Sequence, residues 1–210
     1  RTVEDAALML NVLAGHDPSD DSSSSRETHD YRAMLTEDVR PPRIGVVGQL
    51  FHDRASDEIR LHTEQMVARL AERGARVDNV TLDTDFDALL SAHRTVMNVE
   101  LADVREADFG ARPDAFAPKV RGLIEAGMAA SAVAYVQAQR VRAEFRRAVE
   151  EAIEGFDVLL TPATPAPAPR DVTTTGDPMF QSPWTTAGIP AVTLPSGLSE
   201  SGLPLGIQLA

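Results

Sequence analysis

The 210-residue chain contains no cysteine. That excludes disulfide staples, thiolate metal sites and a cysteine nucleophile. Lysine is almost missing too: Lys119 is the single lysine among 20 basic residues, and the rest are arginine. A mechanism that needs a lysine base therefore has one candidate here. No Gly-Gly pair occurs, and no apolar run reaches the ~18 residues of a membrane span. No basic-then-apolar run opens the sequence, so the expected location is cytoplasmic, with no membrane contact. Positive charge is in deficit. A net charge of −12 makes direct nucleic-acid binding through phosphate contacts an unfavourable reading. What is present is ordinary for a globular chain, with 43% apolar and 25% charged residues. The length suffices for one sizeable core or at most two small domains.

Residues 1–15 read as a helix: Thr2 caps it, Glu4 and Asp5 favour its positive start, and Val3, Ala7, Leu10 and Ala14 share a face. Residues 16–40 are a polar loop. His16, Asp17, Asp20 and Asp21 match no metal-ligand spacing, so no metal and no cofactor is expected. Arg43–Val47 and Arg76–Leu82 read as strands around a helix that Ser56 caps and Gly74 closes. That β-α-β order predicts a right-handed crossover and parallel pairing. Gly45-Val46-Val47-Gly48 lacks the third glycine of a nucleotide fingerprint and, on this reading, a helix directly behind it. A helix is predicted over Phe86–Asp108, with Val96 and Val99 inward. A longer one is predicted over Ser131–Glu154, with a core stripe of Val133, Val136, Val141, Phe145, Val149 and Ile153. Residues 119–130 carry two glycines at irregular spacing and stay unassigned. Asp157–Thr161 is a buried strand that runs into a proline-rich rim. The fold class is α/β, a mixed and largely parallel sheet with helices on both faces. In such sheets the loops beyond strand C-termini host ligands, which places Thr161-Pro162 near any cleft.

The closing stretch, Phe180 to Ala210, alternates β-favouring runs with Gly/Pro punctuation at Gly188-Ile189-Pro190, Pro195-Ser196-Gly197 and Gly202-Leu203-Pro204. By itself this reads as a hairpin, with Ser196 as a turn serine. Its order also resembles the C-terminal signature of the amidase signature family, serine hydrolases that cleave carboxamides. The matching residues are Pro183-Trp184, Gly188, Pro190-Ala191, Pro195, Gly197, Gly202-Leu203-Pro204, Gly206 and Gln208-Leu209. Arg1–Gly15, Arg121–Arg142 and Phe156–Pro162 resemble other segments of that family in the same order, and the chain is identified as a member.

The resemblance implies a partial amidase signature fold and a Ser–Ser–Lys mechanism, in which serine attacks the amide carbon and lysine serves as base. It also implies that this machinery lies ahead of the segment at which the chain begins. On that expectation residues 1–210 are the C-terminal portion of one amidase domain, inactive alone and with no catalytic residue of their own. Both ends read as cut. Ser22–Ser25, Ser196 and Lys119 offer no convincing substitute, and His52, His62 and His93 have no paired serine motif. By resemblance the chain lines the substrate pocket, with Thr161, Ser182, Trp184, Arg121 and Met128 as candidates. Trp184 either lines the pocket or anchors the core. Arg121 either grips a substrate carboxylate or stays solvated. The expected partner is a small-molecule amide, and a homo-oligomer is expected because uncovered strand edges invite association. The alternative is the A-type component of a glutamine-dependent tRNA amidotransferase. Pro183-Trp184-Thr185-Thr186 looks more like a stand-alone amidase, since those amidotransferase components usually read P-A-N-L there.

Overall fold

The computed structural model describes residues 2–20, 23–37 and 40–210. Asp21 and Ser22, named above for metal and nucleophile roles, lie outside the described residues, as does Arg1. Helix α1 (Val3–Leu13) opens with a capping box. The Thr2 hydroxyl accepts from the Asp5 N–H, and the Asp5 carboxylate accepts from the Thr2 N–H. Its apolar stripe is largely uncovered. Ala7 is buried, whereas Val3, Met9, Leu10, Val12 and Leu13 are exposed. The short α2 (Tyr31–Met34) is tied to α1 by Asn11 Nδ2, which donates to Asp30 Oδ1, and by the Arg32–Glu4 ion pair.

The sheet follows from what the chain buries. Strand β1 (Arg43–Val47), the five-residue α3 (Gln49–Asp53), α4 (Asp57–Glu72) and β2 (Arg76–Val80) form the expected β-α-β unit, and β1 and β2 pair in parallel. Ser56 caps α4 as its sequence predicts. Then come α5 (Phe86–Ala111), α6 (Pro118–Ala129), α7 (Ala132–Ile153), β3 (Val158–Pro162), α8 (Ser182–Ala187), β4 (Val192–Leu198) and β5 (Pro204–Leu209). The strand order is β2-β1-β3-β5-β4. β3 is parallel to β1, while β5 runs antiparallel to both β3 and β4. The parallel part comes from helical crossovers and the antiparallel part from the C-terminal hairpin.

Both faces are covered. Ile44, Leu160 and Ile207 meet Met66, Val67 and Leu70 of α4 on one side. On the other, Val47 and Leu159 meet Phe51, Phe86, Leu89, Phe145, Val149 and Trp184. Just ahead of β3 the Asp157 carboxylate accepts the Arg43 backbone N–H at 2.8 Å and the Arg40 guanidinium at 2.6 Å. Those bonds, the Arg43 N–H foremost, hold it well below the usual carboxylate range.

Three sequence expectations are corrected. Residues 119–130 belong to a regular helix, α6, whose Pro118 occupies the first turn, where its missing N–H costs nothing. Gly127 is small because α6 crosses α5 there: a Cβ on it would lie 2.0 Å from the Asn98 carbonyl oxygen. A short helix, α3, does stand directly behind Gly48. And the α7 stripe is core only from Val141 onward, since Val133 and Val136 are exposed and Ala138 is buried instead.

Candidate functional site

Helices α5, α7 and α8 enclose a cavity of about 380 Å³. From α5 it takes His93, Val96, Met97 and Glu100, spaced along one helical face. Arg142 enters from α7, and Ser182, Thr185 and Thr186 from α8. Small residues bring the first two helices together, because Ala92, Val96 and Ala138 share a buried cluster between them. Gly188, left-handed at φ 70°, ends α8. Arg142 Nε donates to the Thr186 carbonyl at 3.1 Å, capping that end.

The polar groups form a chain with a fixed direction. Thr186 Oγ1 donates its one proton back to the Ser182 carbonyl at 2.7 Å. It also lies 2.8 Å from His93 Nδ1, where that proton is no longer free to serve. The Nδ1–H tautomer, with a lone pair on Nε2, satisfies both contacts at once. Burial holds the His93 pKa below that of a free histidine, and the charges of Arg142 and Arg94 push the same way. Glu100 accepts from the Tyr135 hydroxyl at 3.3 Å. The cavity thus brings an imidazole, a guanidinium and a carboxylate together over an apolar floor of Val96, Met97 and Pro178.

Of the five residues proposed from sequence, Ser182 lines this cavity, and its hydroxyl donates to the Pro178 carbonyl at 3.1 Å. Trp184, 1% exposed, stacks on Phe51 at 5.5 Å and 6°. Thr161 is fully buried on β3, with Gln208 Nε2 3.5 Å from its hydroxyl. Gln208 Nε2 also donates to the Phe180 carbonyl, which ties the sheet to the segment leading into α8. Arg121 and Met128 stand apart on α6. Arg121 pairs with Asp114 at 3.1 Å, and Met128 is exposed. The sequence does not single out His93, Arg142 and Thr186 as site residues. Only the 93/97/100 spacing hints at a shared face, and that pattern is common to any amphipathic helix.

A second cavity, about 220 Å³, lies at the carboxyl ends of β1 and β3, where Gly48 and Pro162 meet α4. This is where α/β sheets commonly bind ligands. Its charged groups are already engaged: His52 faces Glu64 at 3.6 Å, and Arg60 pairs with Asp57. Lys119 is exposed on the first turn of α6.

Ser196 departs from its expected turn. It lies in β4 at an irregularity between Pro195 and Gly197, where the extra residue re-aims its side chain. Its Oγ sits 2.7 Å from His62 Nε2, and the imidazole packs over Gly197. His62 therefore does have a serine partner, 134 residues away in sequence. None of the cavities described above holds this pair.

The structure is an α/β fold, a mixed sheet between helical layers with a largely apolar cavity at one helical face. The family model described as Amidase matches residues 1–210. This chain belongs to the amidase signature family. It is 34% identical to the A-type component of the glutamyl-tRNA(Gln) amidotransferase of Granulibacter bethesdensis, over 100% of this chain and 48% of that protein. It is 33% identical to an amidase of Pseudomonas putida, over 97% of this chain and 46% of the relative. A solved amidase structure superposes with a TM-score of 0.81 at 26% identity, over 100% of this chain and 46% of the other. The chain thus spans about half the length of the relatives it matches.

Proposed function

We propose that residues 1–210 are the C-terminal portion of an amidase domain and form one wall of the substrate pocket of an amide hydrolase. The enzyme works by the Ser–Ser–Lys route on linear amides, releasing ammonia or an amine and a carboxylate. The observation that carries this reading is the cavity between α5, α7 and α8. It brings the His93 imidazole and the Arg142 guanidinium together as partners for an amide N–H and carbonyl, and the hydroxyl beside that imidazole, Thr186 Oγ1, donates to the Ser182 carbonyl. Ser182 donates its proton to a backbone carbonyl, and Lys119 is exposed away from the cavity. In this reading the nucleophile and lysine belong to sequence outside these 210 residues, and the chain alone is inactive.

The test is ammonia release from a panel of amides that includes glutamine, using material whose intact mass matches 22.6 kDa. No release is expected from this chain, and release is expected from the parent enzyme. Turnover by the chain itself would place a nucleophile within it, with Ser196 the first to replace. A parent enzyme inert on every amide would sink the reading as a whole.

A second reading, the A-type component of a glutamine-dependent amidotransferase, is favoured by the identity to one such protein. Glutamine as the sole productive amide, together with a second protein that co-purifies, would select it. In either case the exposed apolar side of α1 and the edge strand β4 favour self-association. Light scattering of the purified chain is expected to give a mass above that of the monomer; a clean monomer at high concentration counts against this.

A further inference from the structure

We propose that His93 is a specificity-determining residue whose Nε2 lone pair selects ligands that present an N–H donor to the α5–α7–α8 cavity. This rests on the reading of that cavity as a substrate pocket and names the chemistry it reads: a carboxamide, rather than the isosteric ester.

The constraint begins at the backbone. The Ser182 carbonyl can only accept, and Thr186 Oγ1 is its donor at 2.7 Å. A threonine hydroxyl has one proton, so the contact to His93 Nδ1 at 2.8 Å requires the proton to be on the imidazole. A neutral imidazole with Nδ1–H has only a lone pair at Nε2. Helix α8 thus dictates the polarity of a ring carried on α5. The charged groups around the ring are Arg94 and Glu100 from α5, Arg142 from α7, and Asp177 ahead of α8. Arg142 engages the Thr186 carbonyl through Nε, and its terminal nitrogens have no hydrogen-bond partner among the described residues. Acceptor and donor in one cavity match the NH₂ and C=O of a carboxamide. An ester offers oxygen lone pairs to both, leaving Nε2 without a donor, and such unmet groups are what sites use to reject near-isosteres. Burial and the two arginines also keep the ring neutral below the pH at which free histidine protonates.

The experiment is nitrogen-15 NMR of the histidine side chains in the intact chain, with His93 assigned from the signal missing in His93→Phe. At neutral pH the expected pattern is a protonated Nδ1 and a bare Nε2. Thr186→Val, which removes the hydroxyl and keeps the shape, should release the ring toward a mixture of tautomers. Benzamide is expected to shift the Nε2 resonance and to bind roughly three- to tenfold more tightly than methyl benzoate. His93→Phe should abolish that preference while circular dichroism stays unchanged. On acidification the preference should persist through about pH 6.5 and vanish below it, as the folded-state ring protonates and Nε2 becomes a donor. An Nε2–H tautomer at neutral pH, equal shifts from the two probes, or none from benzamide would overturn the proposal. The amide-release assay is separate. A cavity that prefers benzamide in a protein whose parent cleaves no amide would keep this inference and remove the functional one.

Discussion

Replacing Gly127 by alanine is expected to cost about 3 kcal/mol or more of unfolding free energy. The added Cβ would lie 2.0 Å from the Asn98 carbonyl oxygen, 2.6 Å from its carbon and 2.8 Å from the Ala102 methyl. The first two are backbone atoms of α5, so no rotamer change relieves the overlap and the helices must separate. Asn98 lies between His93 and Glu100 on that helix, so the strain would also reach the cavity wall. Gly122 supplies the control. It lies in the same helix with nothing within 4 Å of its would-be Cβ. Gly122→Ala should therefore stabilise by up to ~1 kcal/mol, the ordinary helix preference for alanine over glycine. Urea unfolding of the two variants decides the matter. Similar midpoints would mean that α5 and α6 do not cross closely at Gly127.

The second large effect is at Trp184, where Trp184→Ala should lose about 3–5 kcal/mol. Its indole is 1% exposed, stacked parallel to Phe51, and Phe51 also meets Phe86 and Phe180. Removing the ring would open a cavity at the centre of the larger core. Trp184→Phe should behave quite differently, within about 1.5 kcal/mol of wild type. It keeps the stacking surface, and the indole N–H it removes has no hydrogen-bond partner among the described residues. Thermal unfolding followed by circular dichroism separates the outcomes. A Trp184→Ala variant of near-native stability would put the ring in the pocket wall rather than the core.

These two positions also show how far the sequence can be read. Both possibilities for Trp184 are visible in it, but it holds no means of choosing. A tryptophan fills a core or lines a pocket with the same chemistry, and only its neighbours differ. The glycines of α6 obscure a helix because one of them exists for a contact with another element. Ser196 reads as a turn residue from its Pro-Ser-Gly context. The strand accommodates that context with a bulge, and the bulge points the hydroxyl at a histidine far away in the chain.

What the sequence determined is local or self-contained. The Thr2 and Ser56 caps, the β-α-β order with its parallel pairing, the Phe145–Val149 core and the ordered motifs that mark the family each depend on neighbours a few residues away, or on a pattern carried along one segment. The tertiary structure decided the site. His93, Arg142 and Thr186 come from three helices: small side chains bring α5 and α7 together, and hydrogen bonds to Thr186 tie α8 to both. The contacts that place the Thr186 hydroxyl between His93 Nδ1 and the Ser182 carbonyl have no signature in the residues around them. Hydrogen-bond direction is a property of the assembled network, and it exists only once α5, α7 and α8 have packed.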